Sequence, residues 1–283
     1  MSVAQLIKIT ILLSVMLIVI SFALLATWRE ATSLFRKPSL LFKSLLAMNV
    51  LLPLFAATLV GMSTLHPAVA IALIALSVSP VPPFLPQKQL KLVGHQDYVY
   101  GLLGATSLLT IVLAPLTIAL LGHAFSRETT VAPAAIARIA ALTVLLPFGL
   151  GLIIRHLAPG FAMRASTVAS KTGLLLLVVA LVPILIKMWP AMVSLIGDGT
   201  LLASVAFIAV GLAVGHLLGG PDPNHRTILA LATATRHPGV ALAIAAGNLQ
   251  GETLVAPALM LYLLVGAIAS APYVIWRKRH LKG

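Results

Sequence analysis

With 283 residues, 60% of them hydrophobic and only 9% charged, the chain has too little polar surface for a water-soluble globule. A formal charge of +13 would suit a nucleic-acid binder, but Lys and Arg lie in short loops between apolar runs, which excludes that class and makes them topology signals. The absence of cysteine excludes disulfides, thiolate nucleophiles and cysteine-ligated metals.

A bilayer core of roughly 30 Å needs about 20 apolar residues per helix. Read against that length, the hydrophobic runs predict nine spans, at 6–27, 39–61, 67–94 (interrupted), 98–122, 132–157, 169–190, 199–219, 225–247 (interrupted) and 252–276. The first run follows Lys8 and ends at Phe22-Ala23-Leu24-Leu25-Ala26; it is longer than a secretory signal core and is read as a retained helix. Loops are expected at Trp28 to Pro38, Met62 to Pro67, Gly122 to Thr130, Pro159 to Ser166, Pro190 to Thr200, Gly219 to Asn224 and Gly247 to Glu252. One side of this arrangement holds fourteen basic residues: Arg29, Arg36, Lys37, Lys43, Lys88, Lys91, Arg155, Arg164, Lys171, Arg226, Arg277, Lys278, Arg279 and Lys282. The other holds Lys8, Arg127, Arg138 and Lys187. The bias places the C-terminus in the cytoplasm and the N-terminus outside an inner membrane, which an odd number of spans requires.

Two spans cannot be continuous helices. The third contains Ser79-Pro80-Val81-Pro82-Pro83-Phe84-Leu85-Pro86-Gln87-Lys88, and proline both removes an amide donor and clashes with the preceding turn. The eighth contains Thr233-Ala234-Thr235-Arg236-His237-Pro238-Gly239. Unsatisfied backbone in lipid costs several kcal/mol per group, so such breaks survive only where protein or a water-filled cavity supplies partners. Each broken span is the last but one of its half of the chain, which points to a single transporter domain, 1–283, built from two inverted repeats at 1–123 and 131–277 with the site where the breaks meet.

Arg236 lies about eleven residues into its span, near the membrane middle at roughly 1.5 Å per residue, where a cation must face a partner or an aqueous cavity; its alternative is a purely structural arginine tied to backbone carbonyls. Lys88 follows the proline cluster, and its alternative is an ordinary loop charge. The acids are Glu30, Asp97, Glu128, Asp198, Asp222 and Glu252, all in loops or at span ends. With no carboxylate at depth, the charge that neutralises these cations is expected to be the substrate's own, helped by helices restarting after Pro83 and Pro238 with their positive ends inward. Gln87, Asn49, Thr233, Thr235 and His237 are the further candidates to line the crossing. The histidines are dispersed, with no nucleophile and base pair, metal cluster or cofactor motif, so an intramembrane enzyme is not expected and no metal or cofactor is assigned.

Leu34-Phe35-Arg36-Lys37-Pro38, then Asn49-Val50-Leu51-Leu52-Pro53, the Ser79-Pro80 break and Arg236-His237-Pro238-Gly239-Val240-Ala241 together resemble the bile acid:sodium symporter family over nearly the whole chain. The resemblance implies an all-α integral membrane fold with a panel and a core domain, the core holding two broken helices that cross. It also implies that this chain has the fold without its first helix. Anchored on Gly239, the family's sodium-binding glutamate and glutamine in the second broken helix fall on Ala232 and Arg236. Its Ser-Asn ligands fall near Gln87 and Lys88, and its supporting hydroxyls near Gly101 and Ala105, with Thr106 and Ser107 one step off. Sodium therefore looks replaced by a tethered cation. The expected function is alternating-access transport of a small organic anion, a carboxylate or sulfate. The alternatives are a sodium-coupled symporter of the usual family type and a non-transporting membrane receptor.

Overall fold

The computed structural model describes residues 3–82, 85, 92–93, 95–124, 133–248 and 253–280. These residues form helices α1 (Val3–Ala23), α2 (Pro38–Gly61), α3 (Pro67–Val78), α4 (Gln96–Ala124), α5 (Ala134–Leu157), α6 (Pro159–Ser194), α7 (Thr200–Leu218), α8 (Pro223–Ala234), α9 (Pro238–Asn248) and α10 (Val255–His280). Eight helical stretches are long and apolar enough to cross a membrane, with α8 and α9 counted as one, and α3 is a shorter ninth. The protein is an all-α integral membrane protein, and nine apolar segments sit where the sequence places nine spans.

Prolines set several helix starts. α2, α3, α6 and α8 open on proline at a first-turn position, where the missing N–H has no intrahelical partner to lose. The connection after α1 is itself ordered: Thr27 and Glu30 form a reciprocal capping box that starts the short helix Trp28–Ala31, and a 3-10 turn follows at Ser33–Arg36. The loop expected at Pro159 to Ser166 is helical instead and the one expected at Pro190 to Thr200 is shortened to Leu195–Gly199, because Pro159 initiates a helix and Pro183 and Pro190 are absorbed within it. At 36 residues, α6 is roughly 54 Å long by its 1.5 Å rise, so its ends leave the hydrocarbon layer. Its exposed Leu174, Leu175, Val178, Val179, Val182 and Ile186 form a lipid-facing surface.

Packing gathers most of the helices into two groups. α1 lies against α5 and α6. α7 packs on α8, α10 and α2, while α3 packs on α9 and α10. Contacts of α5 with α4 and α9, and of α6 with α10, join the groups. Glycine permits the closest approaches, as is usual where lipid supplies no hydrophobic drive between helices. A Cβ at Gly151 would lie 2.4 Å from Ala23 Cβ, and one at Gly173 3.0 Å from the Ser14 carbonyl, so α1 nests into both neighbours. Along α7 and its end, Gly211, Gly215 and Gly219 recur every fourth residue and face the backbone of α8 at Ala234, Leu229–Ala230 and Arg226.

A Cβ at Gly215 would sit 2.5 Å from the Leu229 carbonyl and 2.6 Å from Ala230 Cα, backbone atoms that cannot swing aside. Gly215→Leu is expected to destabilise the fold by at least about 1–3 kcal/mol, the usual cost of overpacking. Gly149→Leu, whose site has open space, should leave the melting temperature in detergent unchanged. Equal thermal stability of the two variants would show that this contact does not constrain the helix pair.

Candidate functional site

The first break begins where α3 runs out. Ser79 turns extended (φ −78°, ψ 156°), and Pro80 has no N–H with which to meet the Leu76 carbonyl. That carbonyl accepts the Ser79 N–H (3.1 Å), the Ser79 hydroxyl (2.8 Å) and Nε of Arg236 (3.1 Å). Arg236 Nη2 also donates to the Ser77 carbonyl at 2.6 Å, and the His237 N–H donates to the Pro80 carbonyl at 2.9 Å. The two breaks therefore touch, and backbone groups of the first are satisfied by residues of the second.

α2 contributes a third freed carbonyl. Its turn Leu46–Leu51 is π-helical, so the Leu52 N–H reaches back five residues to Ala47. In the same register Met48 would need an N–H from residue 53, which is proline. The Met48 carbonyl instead accepts Nη2 of Arg236 at 3.0 Å. α5 has the same device: the π-helical turn Ala141–Leu145 is followed by Leu146, whose N–H reaches Ala141, and then by Pro147.

In the second break α8 ends at Ala234, whose carbonyl accepts the Tyr262 hydroxyl of α10 at 2.5 Å, and Thr235 is extended (φ −110°, ψ 118°). His237 Nδ1 accepts the N–H groups of Gly239 (3.2 Å) and Val240 (3.4 Å), capping the start of α9. Its Nε2 lies 3.3 Å from Thr143 Oγ1, and that hydroxyl donates to the Ile139 carbonyl at 2.7 Å. An accepting Nδ1 and an Nε2 facing a hydroxyl already committed as donor fit a neutral ring with its proton on Nε2. His237 thus ties the crossing to the π-helical turn of α5.

Arg236 has no solvent exposure. Among the described residues no ion pair involves it, so its charge is offset by carbonyl dipoles, two of them at the C-terminal end of α3, where the helix dipole favours a cation. Of the two positive helix ends expected to converge here, the start of α9 lies at the crossing, where it meets the carbonyl end of α3. α3 brings carbonyls to the crossing, the first N–H groups of α9 are taken by His237, and the restart after Pro83 lies outside the described residues. Nη1 of Arg236 is buried without a hydrogen-bond partner among the described residues. One donor group at the crossing therefore remains free for an anion oxygen or a water.

Of the expected site residues, the structure brings together Arg236, His237, Pro80, Pro238 and Gly239, with Pro82 two residues beyond Pro80 in the break. Asn49 is buried beside Met48 in the π-helical turn. Thr233 is fully buried and donates to the Leu229 carbonyl of its own helix at 2.8 Å, so its proton is spent locally. Thr235 is half-buried in the break itself. Pro83, Gln87 and Lys88 lie outside the described residues. The partners that the sequence reading missed are main-chain oxygens of Met48, Leu76 and Ser77 and the side chains of Tyr262 and Thr143. Proline five residues after Met48 and four after Leu76 was a usable signal for two of them.

The sodium bile acid symporter family model matches residues 10–194, 185 of the 283 positions. The matched stretch contains the first break and ends before the second, so Arg236 lies beyond it. No curated protein sequence matches the chain. With a family match over more than half its length and the apolar helices of a multi-pass membrane protein, the chain belongs to the sodium bile acid symporter family, which is made up of transporters and not enzymes.

Proposed function

We propose that the protein is a secondary transporter moving a small organic anion, a carboxylate or sulfate, across the inner membrane by alternating access, with the Arg236 guanidinium standing in for a coupling sodium ion. The observation that carries this reading is the convergence of three main-chain carbonyls, from Met48, Leu76 and Ser77, on one buried guanidinium. Carbonyl oxygens are hard-cation ligands, and here a covalently attached cation already fills them. In this reading Nη1 is the group that faces the substrate's oxygen, and His237, Asn49, Thr235, Thr233, Gln87 and Lys88 are the residues proposed to line the site with it. The repeats are 1–123 and 131–277, with the N-terminus outside and the C-terminus cytoplasmic, as the basic residues distribute. The family match supports a second reading, sodium-coupled symport of the usual type through hydroxyls and carbonyls not engaged by Arg236.

Uptake of labelled carboxylates and sulfates into proteoliposomes separates the two. Wild type is expected to transport without a sodium gradient, and Arg236→Ala to lose flux, since it strips the guanidinium donor from the Met48 and Ser77 carbonyls at about 1–3 kcal/mol each, while the Leu76 carbonyl keeps Ser79. Arg236→Lys, which keeps a charge but not the forked geometry, should fold and retain partial flux. Strict sodium dependence combined with full activity of Arg236→Ala would overturn the proposal.

The His237 contact reaches α5, in the other packing group, so a core that moves against the panel must break or carry it. Thr143→Val removes the partner of Nε2 while keeping the side-chain shape. It is expected to change turnover several-fold without introducing sodium dependence, read in the same vesicles. Unchanged turnover would mean that the contact plays no part in the cycle.

A further inference from the structure

We propose that His95, Asp222 and His225 form a binding site for a divalent transition-metal ion of the Zn2+ class, at the end of the molecule where α4 and α8 begin. The proposal rests on side chains remote from the crossing and does not depend on the transport reading. One ligand atom from each residue lies within 4.8 Å of the other two. Asp222 Oδ2 is 3.9 Å from His95 Nδ1 and 3.7 Å from His225 Nε2, both too far for hydrogen bonds. Three good ligand atoms therefore face a common space without satisfying one another. Zn2+ binds imidazole nitrogen at about 2.0–2.1 Å and carboxylate oxygen at about 2.0–2.2 Å, which holds tetrahedral ligands roughly 3.3 Å apart, so each must draw in by about half an ångström to an ångström.

The surroundings hold the ligands in place. Asp222 caps α8, its Oδ1 accepting the Asn224 N–H at 2.7 Å, which leaves Oδ2 toward the histidines. The His225 ring packs 4.7 Å from that of Tyr98, whose hydroxyl is 2.9 Å from Ser44 Oγ, and meets the His95 ring edge-on at 5.4 Å. The neighbouring cations are engaged elsewhere: Lys37 pairs with Asp97 at 2.9 Å, and Arg226 Nε donates to the Gly220 carbonyl at 2.7 Å. Two imidazoles and one carboxylate suit zinc, nickel or cobalt rather than magnesium or calcium, which prefer all-oxygen shells. The three side chains are 15–37% exposed, so the site is open to solvent and a water completes the tetrahedron. A bound ion would cross-link the start of α4 to the start of α8.

The test uses the untagged full chain in detergent, with Zn2+ followed by calorimetry and Co2+ by its visible absorption. Wild type is expected to bind one ion per chain with micromolar affinity and to give the intense Co2+ bands of a tetrahedral site. His95→Ala and His225→Ala should each weaken binding at least about tenfold, and so should Asp222→Asn, which preserves the helix cap. His216→Ala, at a histidine bonded to Tyr273, should bind as wild type does. No binding by well-folded wild type at millimolar Zn2+, or equal affinity in the His95→Ala/His225→Ala double variant, would overturn the assignment.

Discussion

The structure depends on one clasp, in which the Arg236 guanidinium holds main-chain carbonyls of two other helical segments at membrane depth. Its origin is the rule that lipid offers no donor to a bare carbonyl, so a helix may break there only if protein supplies one. Pro80 and Pro53 each remove an amide that would have closed the local ladder, and one side chain answers for both. Tyr262 does the same for the last carbonyl of α8, and His237 for the first amides of α9. Each bond is worth about 1 kcal/mol net, but the cost of leaving any of these groups bare is larger, which makes the arrangement all-or-none.

The charge follows the same logic. A buried cation is expensive unless paired, and among the described residues no carboxylate pairs with this one. Carbonyl dipoles from the end of α3 and the π-helical turn of α2 take that role. Their oxygens lie 2.6–3.1 Å from the guanidinium nitrogens.

The contacts between helices differ in kind. α7 and α8 are locked by backbone-to-backbone approach at Gly211, Gly215 and Gly219, whereas α5 packs on α9 and meets the second break through the side-chain contact of Thr143 with His237. Both π-helical turns sit at that contact or beside the clasp. A π-helical turn is a local excess of one residue, and it can be absorbed or passed along a helix at lower cost than a new break.

The sequence by itself determined the solvent, the class and the number of apolar segments, because twenty-residue hydrophobic runs admit no other packing. It also located both breaks, since proline acts on its own backbone, and it marked Arg236 as a cation that had to have a partner. It misplaced the ends of α6, where proline started and continued a helix instead of ending it. Only the tertiary structure decided what Arg236 binds, because its partners are main-chain oxygens, which every residue carries and no residue type advertises. The same holds for His95, which lies far along the chain from Asp222 and His225 and meets them only through folding. Asp222 and His225 are legible as a pair three apart; the third ligand is a fact of three dimensions.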